Sequence, residues 1–251
     1  KNASFLETPW LQDPVTISSA STQMKINYSP LKIDIGQLHA QVNGAQISLS
    51  GKADWEPLGW SYELSGTAPN LQAQTILKLW PEALKPKSRS WFKKNVKKGN
   101  VKNLFLQAHQ SAGNTVTLAS SFEFDQANVK FMRFMPVISD GVGYGTFEKD
   151  ELVLTLKSGY VKASQGGKVT FDGSVMRVPN TRIPEPPATF ILRGRGPIHA
   201  TMSLLDNKPF QISTKAKREV DDVSGQIIFE AQVSTWLKKG VKPKDVDFDI
   251  S

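Results

Sequence analysis

Cysteine is absent from this 251-residue chain, which excludes disulfides, thiolate metal ligands and cysteine nucleophiles and leaves the redox compartment open. No segment approaches the ~20 consecutive apolar residues of a membrane-spanning helix. Reactive clusters are lacking as well. The histidines His39, His109 and His199 fall in unrelated contexts, with neither the i, i+4 spacing nor the carboxylate partner of a metal-binding helix. Asp221-Asp222 and the alternating Asp245, Asp247 and Asp249 mark solvated faces rather than the paired acids of a glycosidase. Gly141-Val142-Gly143-Tyr144-Gly145 imitates a phosphate loop, but no helix follows to supply the anion-binding terminus. It reads as a strand with close backbone approach. These absences predict no catalysis, no cofactor and no metal. The chain starts at Lys1 with neither an initiator methionine nor an apolar leader, and reads as a segment of a longer protein.

What is present excludes a structureless chain: 39% of residues are apolar and 22% charged, enough to build one large all-β unit or two smaller ones. The formal net charge of +8 favours a polyanionic partner such as nucleic acid or an anionic lipid surface. A solubilised surface with a mild basic excess is the plainer alternative.

Alternation of period two dominates the chain. Ala45 to Trp55 places Ile47, Leu49, Gly51, Ala53 and Trp55 on one face and Gln46, Ser48, Ser50, Lys52 and Asp54 on the other. Glu56-Pro57-Leu58-Gly59 then turns into a strand from Trp60 to Ala68, predicting a hairpin. Val116, Leu118, Phe122 and Phe124 share a phase in Val116 to Asp125, as do Leu152, Leu154 and Leu156 in Glu151 to Lys157, and Ile227 and Phe229 in Gly225 to Val233. Further strands are expected over Lys25 to Ile35, Asn103 to His109, Val137 to Phe147, Gly167 to Val178, Ala188 to Arg195, Phe210 to Lys215 and Asp245 to Ser251. Short Gly-, Pro- and Asn-containing turns join them, which describes a mainly β, long antiparallel sheet with one apolar face. That face can be covered by a second sheet, closed into a barrel, or curled into an open groove. Periodicity does not choose among these.

Helix signals are few. Asn70 can cap a helix from Leu71 to Trp80, stopped by Pro81, and Pro86 suits the first turn of a second helix through Val96. A third short helix is expected from Pro197 to Asp206. The second gathers Lys87, Arg89, Lys93 and Lys94, with Lys97 and Lys98 following, around Trp91, Phe92 and Val96. Such an amphipathic element either touches anionic headgroups or plugs the open end of a β structure with its lysines merely solvated.

The order of several weak motifs carries a resemblance. Leu77-Lys78-Leu79-Trp80-Pro81, Pro86-Lys87-Ser88-Arg89-Ser90-Trp91-Phe92, Gly99-Asn100-Val101 and Phe122-Glu123-Phe124-Asp125-Gln126-Ala127-Asn128-Val129 are followed by Gly196-Pro197, Leu204-Leu205-Asp206-Asn207-Lys208-Pro209, Val223-Ser224-Gly225-Gln226 and Lys244-Asp245-Val246-Asp247. From Leu71 onward this pattern resembles the YhdP-type AsmA-like proteins, bridge-like lipid transfer proteins of the repeating β-groove type related to TamB and AsmA. The lysine-rich stretch from Lys93 to Lys98 is heavier than the family pattern. The resemblance implies one continuous β-groove fragment: strands over residues 1–69, a helix-containing segment over 70–165, and further groove strands over 166–251. It implies a periplasmic segment of an inner-membrane-anchored protein of a Gram-negative cell, with the parent chain continuing the groove and phospholipid conducted toward the outer membrane. On this reading Ile47, Leu49, Val116, Leu118, Phe122, Phe124, Leu152, Leu154, Leu156, Ile227 and Phe229 line the groove for phospholipid acyl chains. Arg89, Trp91, Lys93, Lys94 and Lys97 are then the candidate headgroup or membrane contacts, and nucleic acid is not a partner. The alternative is a non-catalytic scaffold β-domain of the cell envelope that carries no lipid, its apolar side chains forming an ordinary dry core.

Overall fold

The structure, a computed structural model, describes residues 4–6, 14–131, 134–207, 224–238, 240–241 and 245–250. The expected strand from Phe210 to Lys215 and the acidic pair Asp221-Asp222 lie outside the described residues. The chain is mainly β, with fourteen strands and three short helices among the described residues. It divides into two compact units: residues 1–94, 100–123 and 146–149, and residues 95–99, 124–145 and 150–251.

The first unit is built on β1 (Ser4–Leu6), β2 (Val15–Tyr28), β3 (Leu31–Val42), β4 (Ala45–Glu56) and β5 (Gly59–Gln72), followed by α1 (Ala73–Leu79) and α2 (Pro86–Asn95). From Asn100 on it includes β6 (Val96–Gln110), and through Glu123 it includes β7 (Thr117–Val129). β1 to β6 pair antiparallel in chain order. The β4–β5 hairpin turns at Pro57-Leu58, with Glu56 opposite Gly59, as its sequence predicts. The β3–β4 hairpin turns on Asn43 and Gly44 at φ 49° and 80°, the left-handed pair that a two-residue hairpin turn requires.

Two local expectations need correction. Lys25 to Ile35 is not one strand, because the chain reverses at Ser29-Pro30. The apolar phase switches there from even (Ile26, Tyr28) to odd (Leu31, Ile33, Ile35), and Pro30 has no N–H for a ladder. Asn70 does not cap α1. The ladder runs on through Asn70–Lys102, Leu71–Val101 and Gln72–Asn100, so strand pairing holds these residues extended and α1 begins only at Ala73.

The second unit contains β8 (Ile138–Glu148) up to Gly145, β9 (Glu151–Lys162), β10 (Lys168–Thr170), β11 (Ser174–Val178), β12 (Pro187–Pro197), α3 (Ile198–Leu205), β13 (Gln226–Trp236) and β14 (Val246–Ile250). The stretch expected as a single strand from Gly167 to Val178 is split into β10 and β11 by a turn with Gly173 at φ 80°. Both pieces pair with β9 and β12, and β12 pairs along its whole length with β13.

Each unit has a cluster of buried apolar side chains where a short helix meets the sheet. In the first, Ala45, Ala68 and Leu71 are buried against Ile76 and Leu79 of α1 and Val101 and Leu104 of β6. In the second, Val161, Val169, Ala163 and Met135 are buried with Ala200 and Leu204 of α3, and Phe131, Ile138, Phe171 and Phe229 pack around them.

Candidate functional site

Cross-strand register resolves the first unit's sheet into two chemically distinct faces, because side chains opposite one another in a ladder share a side. Thr22, Leu38, Leu49, Gly66 and Leu106 form one row across β2 to β6. Met24, Ile35, Gly51, Leu64 and Ala108 form the next, and Ile26, Ile33, Ala53 and Tyr62 a third. At the hairpin end, Tyr28 stands opposite Leu31, and Trp55 opposite Trp60, the indoles meeting edge to face at 5.3 Å. The face is continuous and almost wholly apolar.

It is buried only at the α1 end. Away from that end its side chains are partly open to solvent: Met24 is 46% exposed, Leu106 40% and Trp55 52%, and Leu38, Ile47, Leu49 and Leu64 are half-buried. A sheet packed under a second layer would close such positions almost completely.

The second unit has a comparable face with smaller side chains. Leu152, Leu154 and Leu156 of β9 stand opposite Val178, Met176 and Ser174 of β11. Phe190 of β12 lies between Met176 and Val233. Val178, Ala188, Ala231 and Val233 are buried, while the three leucines, Met176, Phe190 and Leu192 are half-buried. Glycines flatten part of this face. A β-carbon on Gly143 would overlap the carbonyl of Thr155 and the ring of Phe124, and one on Gly194 would overlap the ring of Phe229. The Gly141 to Gly145 stretch is thus a strand in close backbone approach, within β8.

The residues expected to line a groove fall in four settings. Ile47 and Leu49 stand on the half-open face of the first unit, and Leu152 and Leu154 on that of the second. Val116, just before β7, and Leu118 and Phe122 in β7 are half-buried in the first unit. Phe124 and Leu156 fill space over glycines: a β-carbon on Gly143 would overlap the Phe124 ring, and one on Gly141 or Gly159 would crowd the Leu156 side chain. Phe229 joins the α3 core, edge to face with Phe171 at 6.1 Å, and Ile227 is half-buried two residues before it.

The residues expected to meet headgroups also divide. Arg89 is turned inward: its side chain is 11% exposed, Nε donates to the Trp80 carbonyl at 2.9 Å and Nη2 to the Leu77 carbonyl at 3.2 Å. It therefore closes the C-terminal end of α1, where a cation satisfies unpaired carbonyls and complements the helix dipole. Trp80 donates its own indole N–H to the Leu84 carbonyl at 2.7 Å, and Phe92 packs on its ring at 6.0 Å. Trp91, Lys93 and Lys94 are exposed on α2, and Lys97 is exposed in β6.

The opposite face of the first unit is polar and holds a shallow trough of about 620 Å³ that crosses β2 to β6. Its walls are two rows, Ser21–His39–Ser48–Thr67–Phe105 and Ser19–Gln41–Gln46 with Pro69 and Asn103. His39 Nδ1 and Ser48 Oγ are hydrogen bonded at 2.7 Å. Sequence reading missed this feature because it treats the polar half of an alternating strand as plain solvent surface. Of the expected lining residues only Ile47 borders the trough, as part of its floor.

Polar contacts elsewhere are ordinary sheet-surface pairs. Arg177 is hydrogen bonded to Glu151, which raises its pKa above the usual arginine value. Arg193 Nε donates to Glu230 at 2.7 Å. Among the described residues no group of His, Asp and Glu is arranged to hold a metal ion, and no helix is long and apolar enough to cross a membrane. Comparison with family models, curated proteins and solved structures finds no match for the chain.

Proposed function

We propose that this chain is a non-catalytic segment of a lipid conduit that carries phospholipid acyl chains on its half-open apolar sheet faces. The observation that carries this reading is the five-strand apolar face of the first unit, whose rows stay partly exposed away from α1. The order of motifs resembling the YhdP-type AsmA-like proteins supports the same role. On that resemblance the segment belongs to an inner-membrane-anchored protein crossing the periplasm, with phospholipid moving toward the outer membrane.

The energetics suit a conduit. Burying one methylene is worth ~0.8 kcal/mol, so a chain of about 16 carbons gains on the order of 10 kcal/mol by leaving water for apolar side chains. The bilayer already provides that gain. Transfer between them is close to isoenergetic, so such a face lowers a barrier without supplying direction. Half of a ~30 Å hydrocarbon core corresponds to about three strands at ~4.8 Å spacing, and the rows through Leu49 and Gly51 each cross five.

Purification followed by organic extraction and mass spectrometry tests the reading. Phospholipid is expected with the protein, and lipids brominated along the acyl chain should quench the fluorescence of Trp55 and Trp60. Absence of lipid together with unquenched Trp55 and Trp60 would leave an envelope scaffold without cargo as the better description.

A further inference from the structure

The polar trough of the first unit stands on the side of the sheet opposite the apolar face. Across β2 to β6 three successive cross-strand rows carry no acid and no Lys or Arg, and the first fixed charge at the β7 side is Glu123, whose carboxylate accepts from the Asn103 amide at 3.3 Å. The rows are Ser19–Gln41–Gln46 with Pro69 and Asn103, then Ser21–His39–Ser48–Thr67–Phe105, then Gln23–Gln37 with Ser50–Ser65–Gln107. Fixed charge resumes in the next row, Lys25–Asp34–Lys52–Glu63–His109. The block without Lys, Arg or acid on β2 to β6 is therefore local to the trough rather than a property of the whole face, and the carboxylate at its edge, Glu123, repels anions as well.

We infer that this trough is a binding site for a neutral, polyhydroxylated chain, a linear glycan. Serine, threonine, glutamine and asparagine side chains each donate and accept, which matches hydroxyl and acetamido groups and offers no counter-charge to a phosphate or carboxylate. Phe105, 38% exposed on this face, and Pro69 supply flat apolar surface beside those polar groups, as a sugar ring with one apolar side requires. Four strand spacings give the trough a length of about 19 Å, that of a short oligosaccharide. An added peptide strand is disfavoured, because β3, β4 and β5 are each paired on both sides and their backbone groups are already committed to ladders. Recognition has to come from side chains.

The test is titration of the full chain with chitohexaose and cellohexaose, followed by calorimetry and saturation-transfer NMR. Saturable binding of at least one is expected, weakened at least ~10-fold by Phe105→Ala and by Gln46→Ala through loss of a stacking surface or a hydrogen bond. Lys52→Gln, in the charged row beyond the trough, should bind as the parent does. Gln46 is exposed, so Gln46→Ala keeps the test decisive should Phe105→Ala fail to fold. The inference is overturned by no binding of either sugar at millimolar concentration, by equal binding in the trough variants, or by binding of dextran sulfate or an extended peptide in place of the neutral sugars. Because the site lies on the face opposite the apolar rows, lipid extracted with Gln46→Ala reports on the conduit separately.

Discussion

The ring of Phe229 occupies the space that a β-carbon on Gly194, its cross-strand partner in the β12–β13 ladder, would take. Glycine normally weakens a strand, yet here its bare backbone is the surface on which an aromatic ring rests while that ring meets Phe171 edge to face. Phe124 over Gly143 repeats the device.

Gly194→Ala sets two effects of opposite sign against each other. A β-carbon favours the extended backbone, but here it also displaces the Phe229 ring from the α3 core. Overlap with a packed aromatic costs about 1–3 kcal/mol and outweighs the propensity gain. Urea denaturation should show a lower midpoint for Gly194→Ala, and an unchanged or raised midpoint would mean the ring has room to move.

Arg89→Gln should be destabilising although arginine is ordinarily a surface residue. The guanidinium is nearly buried and serves the carbonyls of Leu77 and Trp80, so its loss leaves two acceptors at the end of α1 without a partner, costing about 1–3 kcal/mol. The 3.5 Å contact to Glu82, itself 56% exposed, adds little. Arg89→Lys should rescue poorly, since an ammonium cannot reproduce the two-pronged geometry. Faster amide exchange in α1 would report the effect, and a vesicle-binding defect at unchanged stability would instead return Arg89 to headgroup contact.

Leu204→Ala removes a side chain that is 3% exposed in the α3 core. A loss of about 2–5 kcal/mol is expected. Hydrogen exchange should place that loss around Val161 and Val169, since these are the strand residues buried with it.

Much of the β architecture was legible because alternation is a local property. The β4–β5 hairpin could be read from Glu56-Pro57-Leu58-Gly59, and the phases of Ile47 with Leu49 and of Leu152 with Leu154 reappear as shared faces. Helix ends were less legible, since Asn70 is a good cap by type and only the ladder partner Lys102 keeps it extended. The inward turn of Arg89 depends on where the end of α1 falls in space, which no spacing reveals. The trough was invisible for a related reason: its neutrality emerges only when Ser21, His39, Ser48, Thr67 and Phe105, scattered over 85 positions from 21 to 105, are aligned by register.

Aspartate placed on the apolar faces separates surface that holds lipid from surface that holds the fold. Leu49 and Leu154 are half-buried, so a carboxylate there can reach water and the expected cost is modest, about 1–3 kcal/mol. Phe229 and Phe124 are half-buried too, but each ring fills the space over a glycine, and Phe229 also packs on the α3 core, so the ring's contacts vanish together. Leu49→Asp and Leu154→Asp should therefore fold, with cooperative melts, and release most of the phospholipid extracted with the parent chain. Phe229→Asp and Phe124→Asp should accumulate as unfolded or aggregated protein. If Leu49→Asp and Leu154→Asp also fail to fold, these leucines belong to a sealed core. If both fold and keep their lipid, the acyl chains rest somewhere other than these rows.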